Sequence, residues 1–202
     1  FISNSVAILV SENEWVLISP GAQLLESWLE QFSSQGVSLS IILPNSFHYL
    51  GVFTWLERFP QAQLYASQKA IPRLQAKGLS GLRALEVKQP NLPERYSLLF
   101  PPGHRAGDAW IYKLVSESEG LWVTCDSFLN YERMSNQPIA KAMQQLLGAA
   151  PGLKMSLVVK WLIVDDRTAF KKWVLAKLRS HKPVILLPSH GEIDDKPDFA
   201  DR

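Results

Sequence analysis

Short apolar stretches alternate with stretches of helical spacing along the first half of the chain, and this alternation limits most strongly how it can fold. Apolar runs bounded by polar or turn-forming residues predict buried strands at 6–10, 15–18, 39–43 and 62–66. Apolar residues spaced three and four apart predict helices at 24–32 and 52–59. A strand, helix, strand order of this kind builds one half of a layered α/β structure.

The second half begins with short strands joined by brief polar turns and ends with helices and one further strand. The strands of this predicted meander are 82–87, 96–100, 109–115 and 121–123. Helical spacing predicts helices at 139–147 and 170–178, whereas 157–164 fits either a buried strand or a buried helix. A last strand is predicted at 183–187, followed by a loose acidic tail after about residue 193.

The two halves together predict a single domain over residues 1–202. Both follow the same order of strand and then helix. This order fits an α/β protein of four layers, an αββα sandwich in which two mixed sheets face each other and helices lie outside.

Composition favours a globular protein without a nucleic-acid or membrane partner. The hydrophobic fraction is 47%, and 21 basic residues against 19 acidic ones leave a net charge of +2. The apolar runs are too short to span a bilayer. No signal-peptide pattern is evident, so we predict a cytoplasmic protein, although a start at Phe1 leaves a removed leader open. The sequence does not decide the oligomeric state.

Imidazole and carboxylate side chains stand where several predicted strands end. His48, His104 and His190 follow apolar strands, and Asp126 ends the run 123–126. Strand ends that deliver such side chains into loops commonly assemble a metal site, and zinc, iron and manganese accept these donors. Each histidine taken alone is better explained by hydrogen bonds to loop backbone, and it is the set that predicts a metal site. The fourth histidine, His181, lies at a predicted helix end, where it is expected to complement the helix dipole.

Three segments resemble motifs of the metallo-β-lactamase fold superfamily. Residues 103–107, Gly-His-Arg-Ala-Gly, are similar to its glycine-histidine-x-x-glycine loop, whose histidine binds metal. Residues 124–126, Thr-Cys-Asp, are similar to its threonine-glycine-aspartate element, whose aspartate bridges two metals. Residues 189–191 resemble its terminal histidine-glycine motif, whose histidine completes the second metal site. The resemblance implies that His104, Asp126 and His190 are metal ligands.

The superfamily's histidine-x-histidine-x-aspartate-histidine signature is absent. Residues 44–51 stand in its place and contain one histidine, His48, so the chain resembles a divergent branch. Together with His104, Asp126 and His190, His48 offers at most four ligands, which suits one ion of zinc, iron or manganese better than two. A site without metal and a two-metal site built from other ligands stay open.

We therefore predict a metal-dependent hydrolase that acts on a small ester, thioester or phosphoester. In this prediction His48 is a fourth ligand or the general base. The competing prediction is a non-catalytic relative that keeps the scaffold to bind a small molecule or a protein partner. Hydrogen bonds from Asn45, Ser46 and Tyr49 would then fill the site.

Two further features carry alternative interpretations. Cys125, the single cysteine, is interpreted as a small buried apolar residue or as a thiolate ligand or redox thiol beside the site. Asp165 and Asp166 predict the N-cap of a helix that begins near Thr168, with a carboxylate pair for a metal as the alternative. The seven tryptophans lie inside periodic apolar runs, which predicts that nearly all of them belong to the core.

Overall fold

The chain divides into two compact units, one of residues 4–94 and one of residues 95–202 together with 1–3. The structure, a computed structural model, describes residues 3–23, 36–117 and 119–196. The helix predicted at 24–32, which includes Trp28, lies outside the described residues. The single domain over 1–202 stays a prediction.

A five-stranded sheet organises the first unit. Its strands, in spatial order, are β1 (Val6–Ser11), β2 (Glu14–Ile18), β3 (Ser38–Leu43), β4 (Gln63–Ala66) and β5 (Arg83–Ala84). The first two form the predicted antiparallel hairpin, and all later neighbours are parallel. The helices are α1 (Leu50–Arg58) after β3 and α2 (Ile71–Ala76) after β4. The run 82–87 thus supplies the short edge strand β5 and is not part of the meander.

The core of the first unit joins β3 to α1. Leu39, Ile41 and Leu43 alternate along β3, and they share one hydrophobic cluster with Val52 and Trp55 of α1. The Trp55 indole N–H also donates to the carbonyl oxygen of Gly21 at 3.0 Å, so its polar edge is satisfied. Full burial of an aliphatic side chain of this size contributes about 1.5–3 kcal/mol. This packing fixes the start of α1, directly after the segment that carries His48.

A second five-stranded sheet organises the second unit. Its strands are β6 (Tyr96–Leu99), β7 (Trp110–Leu114), β8 (Glu119–Tyr131), β9 (Gly152–Lys154) and β10 (Lys182–Gly191). The predicted meander is confirmed in β6, β7 and β8, which pair antiparallel. β10 lies parallel to β8, and β9 pairs antiparallel with the end of β8. The helical segments are α3 (Pro138–Leu146), a π-helical turn (Val159–Ile163) and α4 (Arg167–Ser180).

Aromatic side chains fill the core of the second unit. The Trp110 ring is fully buried, with its centroid 5.5 Å from that of Trp122 and 5.2 Å from that of Trp173. Phe170 of α4 meets the Trp110 ring edge-on at 6.2 Å. Aromatic pairs of this kind add about 0.5–1.5 kcal/mol beyond the area they bury. The cluster fixes α4 against β7 and β8.

Two predictions about the apolar runs were wrong. The run 157–164, predicted to be buried, contains the π-helical turn, in which Trp161 is 60% and Leu162 63% exposed. A helical turn points its side chains in all directions, so a continuous apolar run cannot all face the core. The strand predicted at 121–123 continues to Tyr131, which places Asp126 inside β8 and not at its end.

The ends of α4 and β10 are tied by specific hydrogen bonds. As predicted, Asp166 caps α4, because its Oδ1 accepts the backbone N–H of Ala169 at 2.9 Å. Asp194, which follows β10, exchanges backbone hydrogen bonds of 2.8 and 2.9 Å with Leu186 in the middle of that strand. Among the helices of the described ranges, none has both the length and the apolar character that crossing a bilayer requires.

Candidate functional site

The parallel pairing of β8 with β10 brings together two of the predicted ligands, Asp126 and His190. Nε2 of His190 lies 3.4 Å from Oδ1 of Asp126, and the two side chains are 31% and 20% exposed respectively. The register shifts at this place, since Pro188 pairs with Cys125 whereas His190 pairs with Leu129. β8 thus advances by four residues where β10 advances by two, and Asp126 lies in this irregular stretch.

Two unusual backbone conformations accompany the irregularity. Cys125 has a φ of 50°, in the left-handed region that glycine adopts at little cost and other residues rarely adopt. Gly191 has a φ of 95°, and a Cβ at this position would collide with the backbone of Asn130 in β8. A glycine is therefore required directly after His190. A glycine at position 125 would also suit the backbone, as in the motif that residues 124–126 resemble.

The surroundings of the Cys125 thiol favour its protonated form. Burial, followed by the nearby carboxylates of Asp108 and Asp126, raises its pKa well above the usual value for a thiol. Its side chain is 1% exposed and hydrogen-bonds to Ser189. A thiolate is the form that binds metal and reacts with oxidants, so these surroundings favour the interpretation of Cys125 as a small buried residue.

A separate buried network surrounds His104. Its Nε2 lies 3.3 Å from Oδ2 of Asp108, and the side chains are 1% and 0% exposed. The same Asp108 oxygen accepts the Ser127 hydroxyl at 2.6 Å, and the Ser127 oxygen accepts the Trp110 indole N–H at 3.1 Å. Gly103, with a φ of 68°, allows the close approach of this loop to Asp166, since a Cβ would lie 2.6 Å from the Asp166 carbonyl oxygen. The network connects the loop before β7 to β8.

His104 was predicted to share an ion with Asp126 and His190, and the structure gives it different surroundings. His104 does not belong to a potential metal site of the described residues. Its ring nitrogens do not lie within 4.8 Å of the ligand atoms of two other histidine, cysteine or carboxylate side chains that are also this close to each other. Its loop is fixed instead by an antiparallel bridge between His104 and Val164, and its ring lies 6.3 Å from that of Phe170. These contacts place the imidazole inside the aromatic core.

The fourth predicted ligand, His48, belongs to the first unit. It follows β3 in a turn where the Asn45 side-chain oxygen accepts the backbone N–H of Phe47 at 2.8 Å. Nδ1 of His48 lies 2.5 Å from the hydroxyl oxygen of Ser19, which follows β2 and has a φ of 52°. This hydrogen bond orients the half-buried imidazole, as partners of the second ring nitrogen do in histidines that bind metal.

The geometry of Asp126 and His190 is compatible with a shared metal ion. Two ligand atoms held about 2.0–2.2 Å from one tetrahedral ion lie about 3.3–3.5 Å apart, and the observed separation is 3.4 Å. A direct charge-assisted hydrogen bond would be shorter, at about 2.7–2.9 Å. Within the described part of the second unit, no third histidine, cysteine or carboxylate joins this pair within 4.8 Å.

Sequence reasoning missed Asp108 and Ser127. Asp108 follows His104 by four residues in the same loop, and this spacing was the available signal. Ser127 stands among strand residues and gave no signal, because its role depends on β7 and β8 lying side by side.

Comparison with solved structures shows the same fold in proteins of low sequence identity. A metallo-beta-lactamase from Pontibacter korlensis is 13% identical, with a TM-score of 0.60 over 98% of this chain and 85% of that one. A metallo-beta-lactamase from Hirschia baltica is 15% identical, with a TM-score of 0.58 over 95% of this chain and 80% of that one. The Flv1 flavodiiron core from Synechocystis is 17% identical, with a TM-score of 0.55 over 95% of this chain and 48% of that one.

Sequence comparison alone does not reach these proteins. No family model matches the chain, and no curated protein sequence matches it. Two sheets with their helices, in the order observed here, nevertheless align with the solved structures over nearly the whole chain. At such identities the likeness establishes the fold and not the activity. The chain has the metallo-β-lactamase fold that its three short motifs predicted.

Proposed function

We propose that this protein is a metal-dependent hydrolase-like protein in which Asp126 and His190 hold one divalent ion. The observation that carries the proposal is the 3.4 Å separation between His190 Nε2 and Asp126 Oδ1 on adjacent strands. The two side chains are 31% and 20% exposed, whereas the Asp126 Oδ1 atom itself is buried. Zinc, iron and manganese all accept a carboxylate together with an imidazole.

We further propose His48 as the third ligand or as the general base. This assignment rests on the sequence, in which His48 stands where the superfamily has its histidine-rich signature. The hydrogen bond between Nδ1 and the Ser19 hydroxyl supports it, because a histidine that binds metal or moves a proton is usually held by its other nitrogen. A divalent ion in such a site would polarise a carbonyl or phosphoryl oxygen of the substrate.

The proposed substrates are small esters, thioesters or phosphoesters. Proteins named metallo-beta-lactamases share the fold, and this supports hydrolysis as the reaction class. His104 is not part of the proposed ligand set, because its imidazole faces Asp108 inside the core. Its proposed part is to fix the loop before β7.

Metal analysis of the protein purified without added metal tests the proposal. We expect about one equivalent of zinc, iron or manganese per chain, which Asp126→Asn and His190→Gln each reduce at least tenfold. His181→Gln, a substitution at the end of α4, is the matched control and should keep the metal. His48→Gln tests the third ligand, and an unchanged metal content would remove His48 from the set.

A metal-free protein would contradict the hydrolase proposal. If the purified protein holds no metal and added zinc, iron or manganese does not raise its Tm, the non-catalytic binding protein is the better description. If His104→Gln abolishes metal binding while the folded fraction is unchanged, the ligand set proposed here is wrong.

A further inference from the structure

The second unit contains a cavity of about 390 Å³ that neither Asp126 nor His190 lines. Its walls come from β8, the segment after β9, the π-helical turn and the part of α4 from Arg167 to Leu175. Its volume falls within the range of about 300–1,000 Å³ that small-molecule sites commonly have. None of the residues proposed above as metal ligands lines it.

The cavity has an apolar interior. Phe128, Met155, Phe170 and Val174 lie along its walls, and Phe170 is 4% exposed. Within the described part of the chain, no polar uncharged side chain lines it. An apolar body would be favourable here, because each buried methylene contributes about 0.8 kcal/mol. If a methylene group takes up about the 30 Å³ of a water molecule in the liquid, the volume suits a chain of roughly ten carbons.

Three cations complete the lining. Lys160 lies on the π-helical turn, and Arg167 and Lys171 lie four residues apart on α4, where they share a helix face. Among the described residues, no carboxylate lines the cavity and no ion pair involves any of the three cations. An anionic group would therefore meet an excess of positive charge at the exposed side of an apolar cavity.

The Arg167 guanidinium is held in place by the Trp161 ring before any ligand binds. Its guanidinium carbon lies 4.1 Å from the centroid of the Trp161 ring, and the ring itself is 60% exposed. The exposed Trp161 ring thus contacts a cation that lines the cavity. A guanidinium held in this way loses less conformational entropy when it binds a carboxylate or phosphate.

We propose that this cavity binds a linear amphipathic anion, with the alkyl chain inside and the anionic head on Arg167 and Lys171. A fatty carboxylate and an alkyl phosphate share this chemistry. The site is independent of the proposed metal site, so His190→Gln should bind the amphiphile as the unchanged protein does.

Calorimetric titration with decanoate and with decyl phosphate, each below its critical micelle concentration, tests the proposal and separates the two head groups. We expect saturable binding of at least one of them at one site per chain. Decanol should bind at least tenfold more weakly, because it lacks the charge. Decyltrimethylammonium should bind more weakly still, since its head would meet three cations.

Substitutions on α4 identify the site. Arg167→Gln with Lys171→Gln should weaken binding of the anionic amphiphile at least tenfold and leave that of decanol unchanged. Lys172→Gln removes a neighbouring exposed charge that does not line the cavity, and it should bind as the unchanged protein does. Val174→Phe, which fills the cavity from its wall, should weaken binding of both amphiphiles and leave the Tm the same or higher.

Three results would overturn the proposal. The first is that neither anionic probe shows saturable binding. The second is that Lys172→Gln weakens binding of the anionic amphiphile as much as Arg167→Gln with Lys171→Gln does. The third is that decyltrimethylammonium binds as tightly as decanoate. The first removes the site, and the other two show attachment to the general surface of the protein.

Discussion

Nε2 of His104 lies 3.3 Å from Oδ2 of Asp108, and both side chains are almost completely buried. Asp108 also accepts the Ser127 hydroxyl, so its carboxylate links the loop before β7 to β8. Removing one partner of a buried polar network leaves the others without compensation. Such losses cost far more than the loss of a surface ion pair.

Asp108→Ala should therefore be strongly destabilising. We expect the free energy of unfolding to fall by about 3 kcal/mol, measured by urea denaturation. Glu119→Ala, which removes an exposed ion pair with Lys182, is the control and should cost less than about 1 kcal/mol. Similar losses in the two variants would show that the buried network does not stabilise the fold.

Cys125 should tolerate glycine better than alanine. Both substitutions remove the thiol, but only glycine relieves the left-handed backbone at a φ of 50°. We expect Cys125→Gly to be about 1 kcal/mol more stable than Cys125→Ala in chemical denaturation. This reverses the usual order in strands, where glycine is the weaker residue by about 0.5–1 kcal/mol. The usual order at this position would argue against strain.

His181 should make the protein less stable in mild acid. Burial, followed by the charge of Lys177, lowers the pKa of His181 from its ordinary value of 6.5. The unfolded chain therefore binds more protons between the lowered pKa and about 6.5, so the free energy of unfolding rises with pH across this window. It falls again as the pH drops through the window.

His181→Gln should reduce that dependence. We expect the difference in the free energy of unfolding between pH 5 and pH 7.5 to be smaller in His181→Gln than in the unchanged protein. His181 ends α4, as the sequence predicted, and its lowered pKa reduces the positive charge that it can offer to the helix dipole. A larger pH dependence in the variant would contradict this account.

The cap of α4 offers a local test of the helix start. Asp166→Ala removes the acceptor for the Ala169 N–H and should cost about 1 kcal/mol in thermal or chemical unfolding. Asp166→Asn keeps an acceptor oxygen and should stay within a few tenths of a kcal/mol of the unchanged protein. An equal loss in both variants would assign the effect to the charge and not to the cap.

Much of the fold was predictable from the sequence because local patterns decide it. Alternating and continuous apolar runs predicted β1 to β4 and the meander, and Asp166 predicted the start of α4. Three short motifs predicted the metallo-β-lactamase fold, since a glycine beside a histidine at fixed places along the chain reflects backbone demands. Gly191 shows this directly, because a Cβ there would collide with Asn130.

Contacts between distant residues were decided only by the tertiary structure. His104 and His190 looked alike in sequence, each in a glycine-containing loop, yet one imidazole is enclosed beside Asp108 and the other lies partly exposed beside Asp126. The register shift between β8 and β10 makes this difference, together with the packing of Phe170 against the His104 loop. Residue order determines which side chains are available, whereas strand register and core packing determine which of them meet, because these depend on pairings that no local pattern specifies.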